Sequence, residues 1–169
     1  MSGFPGSGKS TLSREIAKRT GSIIIDHDII KSALLNSIDD GSIDGKSAGK
    51  ISYNIDWSLV DFHLSQGQNV ILDSPCLYEE QVDKGTKLSF KYNVKYKYIE
   101  CYLDDFEKIN YRLKTRDRMV SQIAEIKSEA VFIHTLQSSK KPSNYKCITV
   151  NTGQPLENYI QEVMDYINN

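Results

Sequence analysis

Long hydrophobic runs are missing from this chain. No apolar stretch reaches the roughly 20 residues that a membrane-spanning helix needs. No charged start leads into an apolar segment, so a secretory signal is not expected. Cysteine is scarce. Cys76, Cys101 and Cys147 are odd in number and far apart, which argues against a disulfide framework and for a reducing, intracellular and cytoplasmic setting. An excess of one charge is also lacking: 21 Lys and Arg stand against 22 Asp and Glu, a net charge of -1. That balance excludes a broad basic field for duplex DNA or an anionic membrane. Repeats and low-complexity linkers are absent, and 169 residues fit one domain spanning 1–169. What remains is 39% apolar and 25% charged, a composition that can bury a real core. Nothing in it sets an oligomeric state.

The chain opens with a glycine-rich turn, Gly3 to Gly8. A helix is expected from Lys9 to about Thr20, with Gly21 as its stop. Ser22–Asp26 and Asn69–Asp73 are short apolar runs that each end in an acid, the pattern of buried strands. Between them, one helix carries Ile29, Ile30, Ala33 and Leu34. Residues 37–46 are loop chemistry, and a longer helix turns Ile51, Ile55, Leu59 and Phe62 inward. Further expected elements are a helix from Glu79 to Tyr92, a strand from Val94 to Leu103 and a helix from Asp104 to Arg118. Residues 119–140 form a polar, partly helical excursion, so that 104–140 makes a lid. A strand at Cys147–Val150 and a helix at Leu156–Ile167 close the chain. Strands alternating with helices predict a parallel α/β sheet. Ligands of such sheets lie beyond the carboxyl ends of the strands, which puts Asp26, Asp28, Asp73 and the Asn151 region on one rim with the glycine turn.

Gly3-Phe4-Pro5-Gly6-Ser7-Gly8-Lys9-Ser10 fits the phosphate-loop pattern G-x-x-x-x-G-K-S without a mismatch. The backbone from Gly3 through Thr11, with N–H groups at every residue but Pro5, would surround the phosphates of ATP, with Lys9 reaching the β- and γ-phosphates and Ser10 binding Mg²⁺. The positive end of the following helix adds to the attraction. Asp73, at the end of its strand, is placed to hold Mg²⁺ through water. Asp28 can accept a proton from an attacking hydroxyl or cap the helix it begins, and Asp26 is a second candidate for the proton. Arg112 and Arg116 are i, i+4 neighbours, and with Arg118 they supply the cations that phosphoryl transfer requires.

Other signals fail on inspection. Asp40-x-Ser42-x-Asp44-Gly45 imitates a calcium loop, but Ile51 stands where the twelfth-position Glu is needed. His27, His63 and His134 lack metal spacing. The alternation of Lys91–Lys97 with tyrosines reads as a strand face rather than a nucleic-acid patch. No Asn-Lys-x-Asp motif supports guanine.

Taken together, the phosphate loop, the Ile25–Leu34 segment, the Asp73 strand and the arginine-rich helix resemble the P-loop kinase-like ATP-binding proteins. These are an AAA-type group near polynucleotide 5′-hydroxyl kinase, gluconate kinase, chloramphenicol phosphotransferase and zeta toxin. Leu72-Asp73-Ser74-Pro75 and Arg112-Leu113-x-x-Arg116 look like a eukaryotic, partly fungal branch named only as ATP-binding proteins. The resemblance implies a three-layer α/β P-loop fold of the nucleoside-monophosphate-kinase type. It also implies ATP and Mg²⁺ as cofactors and transfer of the γ-phosphate to a hydroxyl of a small molecule or a nucleic-acid 5′ end. In the polynucleotide kinases the acid after the second strand is the general base, where Asp28 stands. The basic residue three positions on is Lys31 here, in place of the family's arginine, and Lys lacks the bidentate fork. Together Asp28 and Lys31 would face the acceptor. In this fold a hydrophobic strand runs directly into the phosphate loop, but Met1 and Ser2 alone precede Gly3 here. The expectation is therefore a truncated chain without that strand, or another segment in its place. Two rivals remain: an ATPase or ATP-gated binding module without acceptor, and a non-catalytic member that folds with a partner's strand.

Overall fold

The computed structural model describes residues 1–38 and 42–169. The elements run β1 (Ser2–Gly3), α1 (Lys9–Thr20), β2 (Ile23–Asp26), α2 (His27–Asn36), α3 (Gly45–Ser65), β3 (Val70–Asp73) and α4 (Glu79–Tyr92). They continue with β4 (Tyr98–Tyr102), α5 (Phe106–Thr115), α6 (Glu129–Gln137), β5 (Cys147–Asn151), a 3₁₀ turn (Leu156–Asn158) and α7 (Ile160–Asn168). The rejected calcium loop falls partly outside the described residues, at Asp40. Its Asp44 caps α3, accepting hydrogen bonds from the Lys46 and Ser47 amides at 2.9 and 3.0 Å.

All strand pairs are parallel, as expected. β2 pairs with β3 so that Asp26 lies opposite Asp73, and β4 pairs with β5 so that Tyr102 lies opposite Asn151. The strand leading into the glycine turn, expected to be missing, is present as the two residues of β1, which pairs Ser2 with Glu100 and Gly3 with Cys101 on β4. Hydrogen bonding therefore divides the sheet into β2–β3 and β1–β4–β5. One link crosses the division: the Met1 ammonium group donates to the Leu72 carbonyl at 2.9 Å.

Side chains alternate across the strands. Ile99 and Cys101 of β4 pack with Leu12 and Ile16 of α1 and with Ile160, Val163 and Tyr166 of α7. Tyr98 turns the other way and packs with Cys76 and Val82 of α4. The sheet is thus the middle of three layers. A separate cluster joins Phe4 of the glycine turn to Ile109 and Leu113 of α5, Ile126, and Phe132 of α6. The Phe4 and Phe132 rings meet edge to face at 4.9 Å, so α6 packs directly on the loop.

Three expectations are corrected. The inward face of α3 carries Ala48, Ser52, Asp56 and Val60, whereas Ile51, Ile55 and Phe62 are exposed by 39%, 39% and 58%. Small residues let α3 approach α2 and the β2–β3 pair closely, which bulky Ile and Phe would prevent. The strand expected from Val94 begins at Tyr98, because Asn93 takes the left-handed conformation (φ 52°) that ends α4 and turns the chain. The helix expected to reach Arg118 ends at Thr115, and Arg116 caps it in extended conformation (ψ 152°).

Candidate active site

The glycine turn is held open by backbone geometry. Gly3, Gly6 and Gly8 have φ of 136°, 83° and 89°, in the region that favours glycine. At Gly3 a side chain is excluded outright: a Cβ would lie 2.3 Å from the Cys101 carbonyl oxygen and 2.6 Å from Ser7 Oγ. Gly8 caps α1 without any side-chain hydrogen bond, and no acid occupies the first turn of the helix. The positive helix end faces the loop unneutralised, the arrangement that attracts an anion. Ser7 is fully buried and its hydroxyl oxygen has no hydrogen-bond partner. Lys9 folds over the loop, its Nζ donating to the carbonyls of Gly3 at 3.0 Å and Phe4 at 3.2 Å. Ser10 and Thr11 occupy the first turn of α1. Pro5 is half-buried, while Phe4 is sunk in the core.

Beside the loop, Asp73 is 3% exposed and lies 2.8 Å from Ser13 Oγ of α1. That hydroxyl also lies 2.7 Å from the Lys9 carbonyl, so α1 carries both the lysine and the group that holds the acid. Asp26 sits opposite in register. Its Oδ1 accepts from the amides of Asp28 at 2.9 Å and Ile29 at 3.4 Å, so Asp26, rather than Asp28, caps α2. Burial, and then the charge on Asp73, push the Asp26 pKa above its usual value. A hydroxyl and two neighbouring carboxylates are the oxygen donors that Mg²⁺ prefers, so Ser10, Asp73 and Asp26 fit such an ion. No cluster of three or more His, Cys, Asp or Glu residues that could hold a metal by itself occurs among the described residues.

Asp28 lies in the first turn of α2, and its Oδ2 accepts from Gln122 Nε2 at 2.8 Å. Ser121 Oγ donates to the Asp28 carbonyl at 3.2 Å, and Ser121 and Ser32 hydroxyls meet at 2.8 Å. Arg116 lies in the same neighbourhood. Burial lowers its pKa, the Asp28 carboxylate acts in the opposite sense, and its buried Nε has no partner. Its Nη2 donates to the Ile123 carbonyl at 2.9 Å. Arg118 is exposed and donates to the Gln122 carbonyl at 2.9 Å. Arg112 is elsewhere: it donates to the Gly6 carbonyl at 3.3 Å and the Thr152 carbonyl at 3.0 Å, tying α5 and the end of β5 to the loop. Lys31 Nζ points at α3, 3.8 Å from where a Cβ on Gly49 would be.

Sequence reasoning missed a polar group behind this rim. His27 Nδ1 lies 2.6 Å from Asp56 Oδ2, and both side chains are buried. The His27 ring stacks on Tyr53 at 3.9 Å, and Ser74 Oγ, just past β3, donates to the Tyr53 hydroxyl at 3.2 Å. The available signal was the helical spacing of Ala48, Ser52, Asp56 and Val60, whose polarity disguised it as a solvent face. Gln122 carried no signal, because its role depends on the chain returning from α5 to α2.

The architecture has clear relatives among solved structures. A protein of Chloroflexus aurantiacus designated a candidate kinase superposes with a TM-score of 0.77 at 17% identity, covering 98% of this chain and 95% of that one. Mycobacterium tuberculosis APS kinase, in complex with AMPPNP and APS, gives a TM-score of 0.66 at 14% identity, over 99% and 95%. A gluconokinase of Sinorhizobium meliloti gives 0.62 at 15% identity, over 99% and 89%. At these identities the likeness shows the fold, a kinase-like three-layer P-loop architecture. No curated protein matches the chain significantly in sequence. A family model for the AAA domain matches residues 1–138, a span that takes in the glycine turn, the strand-end acids and all three arginines, and the chain therefore belongs to the AAA domain family.

Proposed function

We propose that this chain transfers the γ-phosphate of ATP to a hydroxyl group of a small molecule or a nucleic-acid 5′ end. The observation that carries the reading is a shared rim. The phosphate loop, the Asp26–Asp73 pair and the Asp28–Gln122–Arg116 group all lie where the parallel strands end. Loop amides and the α1 N-terminus would bind the phosphates, and Lys9 would exchange the Gly3 and Phe4 carbonyls for phosphate oxygens. Ser10 with Asp73 would hold Mg²⁺, which would supply neutralisation of phosphate charge. Asp28 would accept the acceptor's hydroxyl proton after leaving Gln122, and Arg116 would stabilise charge on the moving phosphoryl group. Arg112 would fix the loop from outside and Arg118 would approach the nucleotide. Lys31 would face the acceptor beside Asp28, and the 104–140 segment would close as a lid.

One observation favours a second reading, an ATPase or ATP-gated module without acceptor: the Asp28 carboxylate already has a partner in Gln122. Asp28→Asn separates the two readings. Phosphotransfer is expected to fall about 10²- to 10⁴-fold, the usual contribution of a general base, while ATP and Mg²⁺ still bind. If ATP turnover stays unchanged and no acceptor is ever labelled, the module reading replaces the kinase.

A further inference from the structure

A cavity of about 350 Å³ lies beside the phosphate loop. Phe4 and Pro5 of the loop line it on one side. Pro75 and Leu77, just past Asp73, line it on another. Ile123 and Ile126 of the 104–140 segment complete the lining with Val131 and Leu136 of α6. Ile123 ties this space to the Asp28 group. Its carbonyl accepts from Arg116 Nη2 at 2.9 Å, and the preceding residue, Gln122, donates to the Asp28 carboxylate at 2.8 Å. The cavity therefore reaches from the phosphate loop to the neighbourhood of the proposed base. Its volume is near the lower end for small-molecule sites, roughly 300–1,000 Å³, so it holds the body of one small molecule rather than a strand of nucleic acid.

The polar side chains along the cavity are engaged with other groups. Buried Glu100 accepts from Thr149 Oγ1 at 3.0 Å and pairs with Lys141 at 2.6 Å. Thr135 Oγ1 donates to the Val131 carbonyl at 2.8 Å, and Glu125 pairs with Lys114 at 3.3 Å. Ser139 Oγ lies 3.4 Å from the Tyr98 hydroxyl, and Ser2 Oγ accepts from the Cys76 amide at 3.3 Å. The Tyr102 hydroxyl donates to Asp104 at 3.2 Å, and Lys127 is exposed to solvent. A sugar or other polyol would bury its hydroxyls here against proline, leucine, isoleucine and valine. Burying them without partners costs free energy that an apolar body does not lose.

We infer that this cavity takes the apolar body of a small hydroxyl-bearing acceptor, whose hydroxyl is directed to the rim between the phosphate loop and Asp28. The acceptor is then an amphiphilic alcohol, rather than a polyol or a nucleic-acid 5′ end. In the transfer its hydroxyl oxygen bonds to the γ-phosphorus, and the bond from that phosphorus to the β–γ bridging oxygen breaks. ADP leaves, and the hydroxyl proton passes to Asp28. The transfer step rests on the kinase reading, whereas binding of the apolar body does not.

The probes are the straight-chain alcohols butanol, hexanol and octanol, with glycerol, gluconate and a 5′-hydroxyl oligonucleotide as polar acceptors. Occupancy is read from the methyl NMR signals of Leu77, Ile126, Val131 and Leu136. Transfer is read from γ-phosphate-labelled ATP with Mg²⁺. Octanol is expected to shift those signals saturably, and the polar acceptors to leave them in place. Each added methylene is expected to raise kcat/KM about fourfold, the usual gain from burying one such group. Val131 is 60% exposed, so Val131→Glu keeps the fold. It sets a charge against the apolar body and is expected to weaken octanol binding at least about tenfold, while Val131→Leu retains it. No saturable octanol shift, undiminished binding by Val131→Glu, or faster transfer to any polar acceptor than to octanol would each overturn the inference. The last of these results would leave the kinase reading standing. Octanol binding without label on any acceptor would do the reverse: the apolar ligand class stands and the kinase reading falls.

Discussion

Gly3 is the most constrained residue of the phosphate loop, because its φ and the approach of Cys101 both exclude a side chain. Gly3→Ala is expected to destabilise the chain by about 3 kcal/mol or more, from backbone strain plus a clash with a carbonyl that β-pairing holds in place. Gly21, with φ 70° and nothing within 4 Å of a Cβ, supplies the control. Gly21→Ala carries strain alone and should cost about 1 to 2 kcal/mol. Equal costs in urea unfolding would show that the Cys101 approach is not what demands glycine. Asp26 gives a prediction with a sign. Its raised pKa means that folding penalises the charged form, so any advantage of its protonated form is present at acid pH and lost as pH rises through the folded value. Asp26→Asn keeps an acceptor for the α2 cap and removes the repulsion from Asp73. At neutral pH it should raise Tm by about 2 to 4 °C, the response to roughly 1 kcal/mol in a chain of this size. The gain should vanish below the pH at which Asp26 protonates in the unfolded chain. A Tm that falls at neutral pH would contradict the account.

At the scale of elements, α2 and α3 are joined by one buried polar contact. Removing His27 leaves Asp56 buried with an unpaired carboxylate, whose Oδ1 already lacks a partner. His27→Ala is expected to cost about 3 to 5 kcal/mol, and the double variant with Asp56→Ala less than the sum of the singles. Strict additivity in denaturant unfolding would refute the coupling. This contact also shows where the sequence stopped being legible. α1 and α4 were readable to the residue, since Gly21 and Asn93 punctuate their ends and their apolar positions repeat at helical spacing. The buried strands β2 and β3 were readable from short apolar runs ending in acids. The face of α3 was not, because close packing selected Ala48, Ser52 and Asp56 over its larger apolar residues. The start of β4 was misplaced for a related reason: β-prone Val94 and Tyr96 lie beyond the ladder that would make them a strand. Within the site, the loop, Asp73 and the acids after β2 were legible as motifs. The arginines were found, but their division between the loop (Arg112) and the Asp28 neighbourhood (Arg116) depends on where α5 ends.

For the whole molecule, the phosphate loop and the strand-end acids come from the two separately hydrogen-bonded sheets. The phosphate loop grows out of β1, its outer side rests on α5 and α6 through Phe4, and its acids come from the other half of the sheet. On the proposed reading ATP with Mg²⁺ would touch both halves, so it is expected to raise Tm by linkage, and Lys9→Ala should lose most of that rise. No described helix is long and apolar enough to cross a membrane. The most direct test follows the label from γ-phosphate-labelled ATP and Mg²⁺ in a cell extract split into nucleic-acid and small-molecule fractions. The account predicts label on an acceptor hydroxyl in one fraction, abolished by Lys9→Ala and strongly reduced by Asp28→Asn. Label found only as free phosphate, or transfer that survives Lys9→Ala, would contradict it.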